Sequence, residues 1–177
     1  MAGCGSVADL VTHLCTALIP GVFFAPRQAV WLALGAVVPD AAARVPGLAL
    51  DLLRRVGIGI PPGVESPLAV FHMPIGIVLG TLVIAPLLHP EQRTRAVRWL
   101  IAGGFLHLAV DLLQDHHGHG YFLFFPLSVR RWELGWVGSE ASTLWAPWLV
   151  GVTVLLWGMR WWAHRRASGR ATSPPER

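Results

Sequence analysis

Five apolar stretches of near membrane-spanning length constrain the fold of this 177-residue chain more than any other feature of its sequence. A transmembrane α-helix needs about 20 predominantly apolar residues, within a range of roughly 17–25. The stretches cover residues 7–25, 29–38, 67–88, 97–114 and 144–162. The second reaches this length only if its helix continues past Pro39 and Asp40. We therefore expect an all-α, polytopic integral membrane protein with four or five transmembrane helices.

The composition supports a membrane location and argues against a nucleic-acid partner. Hydrophobic residues make up 54% of the chain and charged residues 14%, whereas roughly 25% of a typical soluble domain is charged. The chain has nine tryptophans, a residue that is enriched where proteins meet the bilayer interface. All fourteen basic residues are arginines, which are dispersed among short connecting segments rather than gathered in one block. Membrane lipid is the expected partner, and nucleic acid is not.

The arginine distribution also predicts the orientation of the chain. With five spans, nine arginines fall on the side of the C-terminus and five on the other side. The positive-inside rule then places the C-terminus in the cytoplasm. Residues 1–163 are expected to form a single transmembrane helical domain, and the Arg-, Ser- and Pro-rich residues 164–177 a disordered tail.

A short apolar segment and an arginine pair follow the fourth stretch. Residues 121–128 are too few to cross a bilayer, so they are predicted to form an interfacial or re-entrant segment. Arg130 and Arg131 come next, beside Trp132. An arginine pair can bind the phosphate of a lipid substrate, and it can equally be an ordinary interfacial anchor. The sequence is compatible with both interpretations.

Ionisable side chains within the apolar stretches gather toward one leaflet. If successive helices alternate in direction, this holds for His13, Asp40, His72, His107 and Asp111. A carboxylate within a span costs about 2.5–3.5 kcal/mol on insertion scales, so it usually faces a cavity or a partner. A divalent cation would compensate the carboxylates and accept neutral imidazoles as ligands. These five residues are the predicted metal ligands, with Zn²⁺ as the expected ion and Mn²⁺ as the alternative.

The spacing of His107 and Asp111 makes them the strongest pair. Residues four apart lie on the same face of a helix, one turn from each other. Asp115 is predicted to extend this stripe by another turn. Together with His116 and His119 of the following histidine-rich loop, it is a candidate catalytic group for proton transfer.

Several short motifs carry a resemblance to a known family. They are Thr12-His13-Leu14, Gly35-Ala-Val-Val-Pro-Asp40, Gly104-Phe-Leu-His107-x3-Asp111 and Phe124-Phe-Pro-Leu-Ser128. Over roughly residues 10–136 the chain resembles the bacterial inner-membrane metal-dependent hydrolase family (YdjM-like). That family's His-Arg-Gly-x-Thr-His stretch corresponds to residues 67–72, where only His72 matches. The resemblance implies an inner-membrane location and a metal-dependent hydrolase. The chain departs from the family at the first histidine of that stretch, and His116, His117 and His119 of the following loop are candidates to supply the missing ligand.

The order of the predicted ligands adds a looser similarity. His, Asp, His and HxxxD follow one another as in the zinc-dependent, all-helical phospholipase C family, which implies a phosphoester or lipid-like substrate. The expected function is therefore an integral membrane metal-dependent hydrolase. The alternative is a non-catalytic membrane scaffold or metal-handling protein, in which the same side chains form a polar network between helices. In that case Asp40 would pair with Arg44 or cap a helix.

Overall fold

The computed structural model describes residues 3–61, 70–115, 120–138 and 141–171, and it is mostly helical. The helices are α1 (Gly3–Phe24), α2 (Ala29–Arg55), α3 (Pro74–Ile84), α4 (Pro90–Leu113) and α5 (Ala141–Ala171). A 3₁₀ turn (Ala85–Leu87) follows α3, and two residue pairs, β1 (Gln114–Asp115) and β2 (Val137–Gly138), form a minimal parallel ladder. The prediction of an all-α fold is confirmed.

Two helices are long and apolar enough to cross a membrane among the described residues, namely α2 and α4. The apolar parts of α1 and α3, at Leu10–Phe24 and Pro74–Leu87, are shorter. The second apolar stretch does continue past Pro39 and Asp40, because α2 runs without a break through both Pro39 and Pro46. By this criterion the chain has two candidate spans, and the predicted number of four or five is not established.

The helices pack through small residues. Ala17, Ala33 and Ala36 are buried together with Leu32 where α1, α2 and α4 meet. A methyl group added at Gly35 would overlap the backbone of Leu100, and one added at Gly103 would overlap that of Leu32. The backbones of α2 and α4 are therefore in direct contact, as is common where glycine lies at a helix crossing.

The turn between α1 and α2 brings residues that are equally far from it on the two helices to the same height in the bundle. His13 lies eleven residues before the end of α1, and Asp40 lies eleven residues after the start of α2. At 1.5 Å per residue, both are about 16 Å from the turn that joins the two helices. At the level of that turn, Arg160 of α5 donates to the carbonyl of Val22 at 3.2 Å.

We call this side of the bundle the arginine end. Its arginines lie in the α1–α2 turn, in the first turns of α4 and in the last turns of α5. Among the residues whose side chains the structure describes, they are Arg27, Arg93, Arg95, Arg98, Arg160, Arg165 and Arg166.

The predicted disordered tail begins too early. α5 continues to Ala171, so residues 164–171 are helical, whereas residues 172–177 lie outside the described residues. The extension has a local cause. The guanidinium groups of Arg165 and Arg166 stack on Trp161 and Trp162, one turn earlier. Their guanidinium carbons lie 4.1 and 3.5 Å from the respective ring centroids. Such i,i+4 contacts stabilise an exposed helix.

The predicted interfacial segment forms a turn-rich excursion. Its ends are joined by two backbone hydrogen bonds between Tyr121 and Trp132, of 2.8 and 2.9 Å. The N–H of Leu134 donates to the carbonyl of Leu112 at 2.7 Å, which fixes the excursion to the last turn of α4. Leu127 lies in it with 94% of its surface exposed, and Phe124 and Phe125 are exposed as well, so these apolar side chains do not belong to the core.

Candidate metal centre

All five residues predicted as metal ligands lie together. His13 comes from α1, Asp40 from α2, and His72 from the segment two residues before α3; His107 and Asp111 come from α4. They make two groups of three whose ligand atoms all lie within 4.8 Å of one another. The groups are His13, His107 and Asp111, and Asp40, His72 and His107. Either group could hold a metal ion.

The first group is the more deeply buried. Both histidine side chains are fully buried, and the Asp111 side chain is 5% exposed. The Nε2 atom of His13 lies 2.9 Å from one carboxylate oxygen of Asp111, and the Nε2 atom of His107 lies 3.2 Å from the other. The two imidazole rings are tilted against each other, with centroids 3.9 Å apart. One carboxylate thus faces two imidazoles in a site that is almost closed to solvent.

The position of the His107 proton follows from its second partner. The Nδ1 atom lies 2.7 Å from the carbonyl oxygen of Ala36, and a carbonyl can only accept, so Nδ1 carries a proton. In the neutral ring the lone pair is then on Nε2. That atom is buried and makes no hydrogen bond within the described residues, although the Asp111 carboxylate is close.

A lone pair and a carboxylate repel each other unless a proton or a cation lies between them. Histidines that bind metals commonly donate their other N–H to a backbone carbonyl or a carboxylate, which fixes both the tautomer and the ring orientation. His107 has this arrangement with Ala36. The direct contact between α2 and α4 at Gly35 and Gly103 brings the carbonyl within reach.

In the second group Asp40 is already paired through one of its oxygens. Oδ1 accepts from the Nε atom of Arg44 at 3.2 Å and lies 3.4 Å from the Nε2 atom of His72. Its other oxygen, Oδ2, is buried and has no hydrogen-bond partner in the described parts of the chain. Both sequence interpretations of Asp40 therefore hold geometrically, since it pairs with Arg44 and also belongs to the cluster. Arg44 therefore lies at the cluster, whereas the sequence indicated it only as the partner of Asp40 in the alternative without a metal site.

Tyr121 is a neighbour of the cluster that the sequence did not indicate. Its ring stacks on that of His72, with centroids 6.0 Å apart and an interplanar angle of 25°. Its backbone pairs with Trp132, so the turn-rich excursion borders the second group. Only the folded chain brings these residues together, because 49 positions separate Tyr121 from His72.

Asp115 does not extend the stripe of His107 and Asp111, and that part of the prediction is wrong. α4 ends at Leu113, and Asp115 is in β1, where it pairs with Gly138. A strand conformation turns successive side chains to opposite sides, so helical spacing no longer applies. The proposed catalytic partners His116 and His119 lie outside the described residues, as does His117.

The predicted substrate-binding arginines lie on the surface of the excursion. The guanidinium carbon of Arg130 lies 4.8 Å from the ring centroid of Trp132, and that of Arg131 lies 5.0 Å from that of Phe122. Both arginines are exposed. The pairing of Trp132 with Tyr121 connects this surface to the cluster.

No family model matches the sequence, and comparisons with curated proteins and with solved structures return no match. The resemblance to the YdjM-like hydrolases stays a prediction from short motifs. The function proposed below accordingly depends on the geometry of the cluster.

Proposed function

We propose that this protein is an integral membrane metal-dependent hydrolase that binds one divalent ion, Zn²⁺ in the first instance, through His13, His107 and Asp111. The observation that supports it most directly is the buried Nε2 atom of His107. Its ring is oriented by the carbonyl of Ala36, and its lone pair points into a site that also holds a carboxylate. Two histidines and one carboxylate are the protein ligands of several catalytic zinc sites.

The shared histidine favours one ion rather than two. Both groups of three depend on His107, and its only available nitrogen, Nε2, has a single lone pair. The two groups are therefore alternatives for the same ion. We favour the first because the Asp40 carboxylate already has a cation, Arg44, beside it, whereas the more deeply placed Asp111 faces two imidazoles.

Zn²⁺ held by these three residues would supply a bound water with a pKa of about 7 and would polarise a phosphoryl or carbonyl oxygen. The Oδ2 atom of Asp40, which is buried and has no hydrogen-bond partner within the described residues, would be available to accept a hydrogen bond from such a water, since Asp40 also lies beside His107. Asp115, His116 and His119 stay proposed for proton transfer, and Arg130 and Arg131 for binding an anionic phosphoester or lipid-like substrate.

The exposed surface supports the membrane location. Large apolar side chains are exposed along α2, α3 and α5, among them Leu48, Val83 and Trp148, with 69%, 75% and 74% of their surface accessible. A groove of about 380 Å³ between α1 and α2 has only apolar lining residues. Apolar patches of this extent are uncommon on soluble monomers and mark membrane or partner contacts. We therefore propose four or five spans in the inner membrane, with the arginine end in the cytoplasm.

Metal content of the detergent-purified protein tests the proposal. We expect about one zinc ion per chain in the wild type and none in the His107→Ala/Asp111→Ala variant. His89→Ala/Asp51→Ala is the matched control, because it removes the same two side-chain types from exposed positions outside the cluster. Absence of metal from the wild type after reloading with Zn²⁺ and Mn²⁺ would refute the proposal.

A second candidate is the non-catalytic scaffold or metal-handling protein. The contacts of Asp40 with Arg44 and His72 favour it, because they need no ion. Stability separates the two candidates. A network that works without metal predicts the same thermal midpoint with and without a chelator, whereas a metal centre predicts a lower midpoint after chelation.

A further inference from the structure

The last turns of α5 extend beyond the helix that accompanies them. α5 runs parallel to α1, since Trp157 donates to the carbonyl of Leu18 and Arg160 to that of Val22. α1 ends at Phe24, whereas α5 continues for eleven residues after Arg160. Because α1 continues two residues beyond Val22, α5 extends past it by about nine residues, or about 14 Å of helix. Within the part of the chain that the structure describes, the face of α5 that packs on α1 is consequently uncovered at the arginine end.

A groove of about 570 Å³ lies at this step. Its α5 wall follows one helical stripe of mostly apolar residues, and its α1 wall is the end of that helix. The lining residues are Val22, Phe23, Leu156, Met159, Arg160, Ala163, His164 and Ala167. The volume is within the range of about 300–1,000 Å³ that is usual for sites that bind small molecules.

Arginines lie in the wall of the groove and on the neighbouring faces of α5. Arg160 belongs to the wall, together with the imidazole of His164. Arg165 and Arg166 directly follow His164, on faces of the helix that turn away from the groove, and stack on Trp161 and Trp162, which are 56% and 52% exposed. Exposed tryptophans and juxtamembrane arginines are typical of the level of the lipid headgroups, where arginines attract anionic lipids.

We propose that this groove is a binding site for one anionic phospholipid of the cytoplasmic leaflet. An acyl chain would lie along Leu156, Met159 and Ala163, and the headgroup phosphate would be close to Arg160 and His164. Arg165 and Arg166 would provide the preference for a net negative headgroup over a zwitterionic one. The inference depends on the proposed membrane orientation, and it is independent of the metal centre, which lies at a different level of the bundle.

Native mass spectrometry of the full-length protein in detergent tests the site. The probes are phosphatidylglycerol and phosphatidylcholine with identical acyl chains, so that only the headgroup charge differs. We expect retention of one phosphatidylglycerol per chain. We expect the double substitution Arg165→Gln/Arg166→Gln to lower the affinity for phosphatidylglycerol by ~30-fold, because each juxtamembrane arginine contributes to the attraction of an anionic lipid.

Two further variants separate charge from shape. Arg95→Gln/Arg98→Gln removes two exposed arginines from the same end of the bundle, away from the groove, and should leave phosphatidylglycerol binding within about twofold of wild type. Ala163→Phe fills the groove and leaves every charge in place, so it should abolish retention of the lipid. Excess inorganic phosphate should not displace the lipid, because the acyl chain contributes to binding.

Several results would overturn the inference. They are equal retention of the two lipids, equal losses in the two arginine variants, displacement by phosphate alone, or a dimer that Ala163→Phe converts to monomer, which would assign the groove to a second copy. Results that refute the proposed function are distinguishable from these. A chain that is soluble without detergent refutes the membrane location, and a chain that lacks metal yet retains phosphatidylglycerol refutes the metal centre alone.

Discussion

The replacement Gly103→Ala tests whether the contact between α2 and α4 positions the proposed metal centre. An added Cβ would lie 2.8 Å from the nitrogen of Ala36 and 2.9 Å from the Cα of Gly35, whereas ordinary contacts begin at 3.4 Å. The contact with Ala36 alone requires the two backbones to separate by about 0.6 Å, and the tighter overlap with the carbonyl oxygen of Leu32 requires more. If this displacement follows the direction of the hydrogen bond from His107 to Ala36, its length of 2.7 Å increases to at least about 3.3 Å.

That length is beyond the usual range of about 2.7–3.2 Å for N–H···O bonds, so His107 would lose the contact that fixes its orientation. Loss of such an orienting partner typically lowers metal affinity by about 10–100-fold. Stability should change less. Overpacking costs about 1–3 kcal/mol, and replacing glycine by alanine within a helix returns about 1 kcal/mol.

The assay is competition for Zn²⁺ against a fluorescent chelator, with the thermal midpoint measured on the same samples. Gly158→Ala is the matched control, because a Cβ at that position of α5 has nothing within 4 Å. We expect the control to bind zinc as the wild type does. Zinc affinity of Gly103→Ala within twofold of wild type, in a folded protein, would show that the helix crossing does not position the ligand.

Three other substitutions address single residues of the cluster. Asp111→Asn should reduce zinc binding by at least about 100-fold, since it removes a charged ligand and keeps the shape; zinc titration checks this, and unchanged affinity would exclude Asp111 as a ligand. Arg44→Gln leaves the buried Asp40 carboxylate without its cation, so the metal-free protein should lose about 1–3 kcal/mol of stability. The loss would be measured as a lower thermal midpoint, and an unchanged midpoint would show that the pair does not stabilise the fold. Tyr121→Leu removes the ring that stacks on His72 and should increase hydrogen exchange in residues 120–134; equal exchange would mean that the backbone pairing with Trp132 suffices.

The cluster was predictable because it depends on how far each residue lies along its helix from the nearest turn. His13 and Asp40 are equally far from the turn that joins α1 and α2, and this can be counted in the sequence once the helices are assigned. The i,i+4 spacing of His107 and Asp111 needs only one helix. Burial of these groups is also expected, because ionisable residues within apolar stretches seldom face lipid.

The remaining features depend on contacts between distant segments. The end of α4 at Leu113 coincides with the pairing of Asp115 and Gly138, which no local pattern indicates. The stacking of Tyr121 on His72 likewise requires the folded excursion. The extension of α5 does have a local signal in the sequence, which is the spacing of four residues between Trp161 and Arg165 and between Trp162 and Arg166. The Arg-, Ser- and Pro-rich composition of the tail favoured disorder instead.

The alanine-rich packing around the centre has a consequence for how such a site can diverge. Ala17, Ala33 and Ala36 carry no chemistry, yet together with the bare backbone at Gly35 and Gly103 they set how far apart the ligand-bearing helices are. Ions differ in the bond lengths they require, about 2.0–2.2 Å for zinc with nitrogen or oxygen and 2.3–2.6 Å for calcium with oxygen. These lengths differ by a few tenths of an ångström, so a single carbon added at Gly35 or Gly103, which forces a larger separation, is enough to change the fit of the proposed site. Selection for a different ion would therefore act first on residues that never touch it.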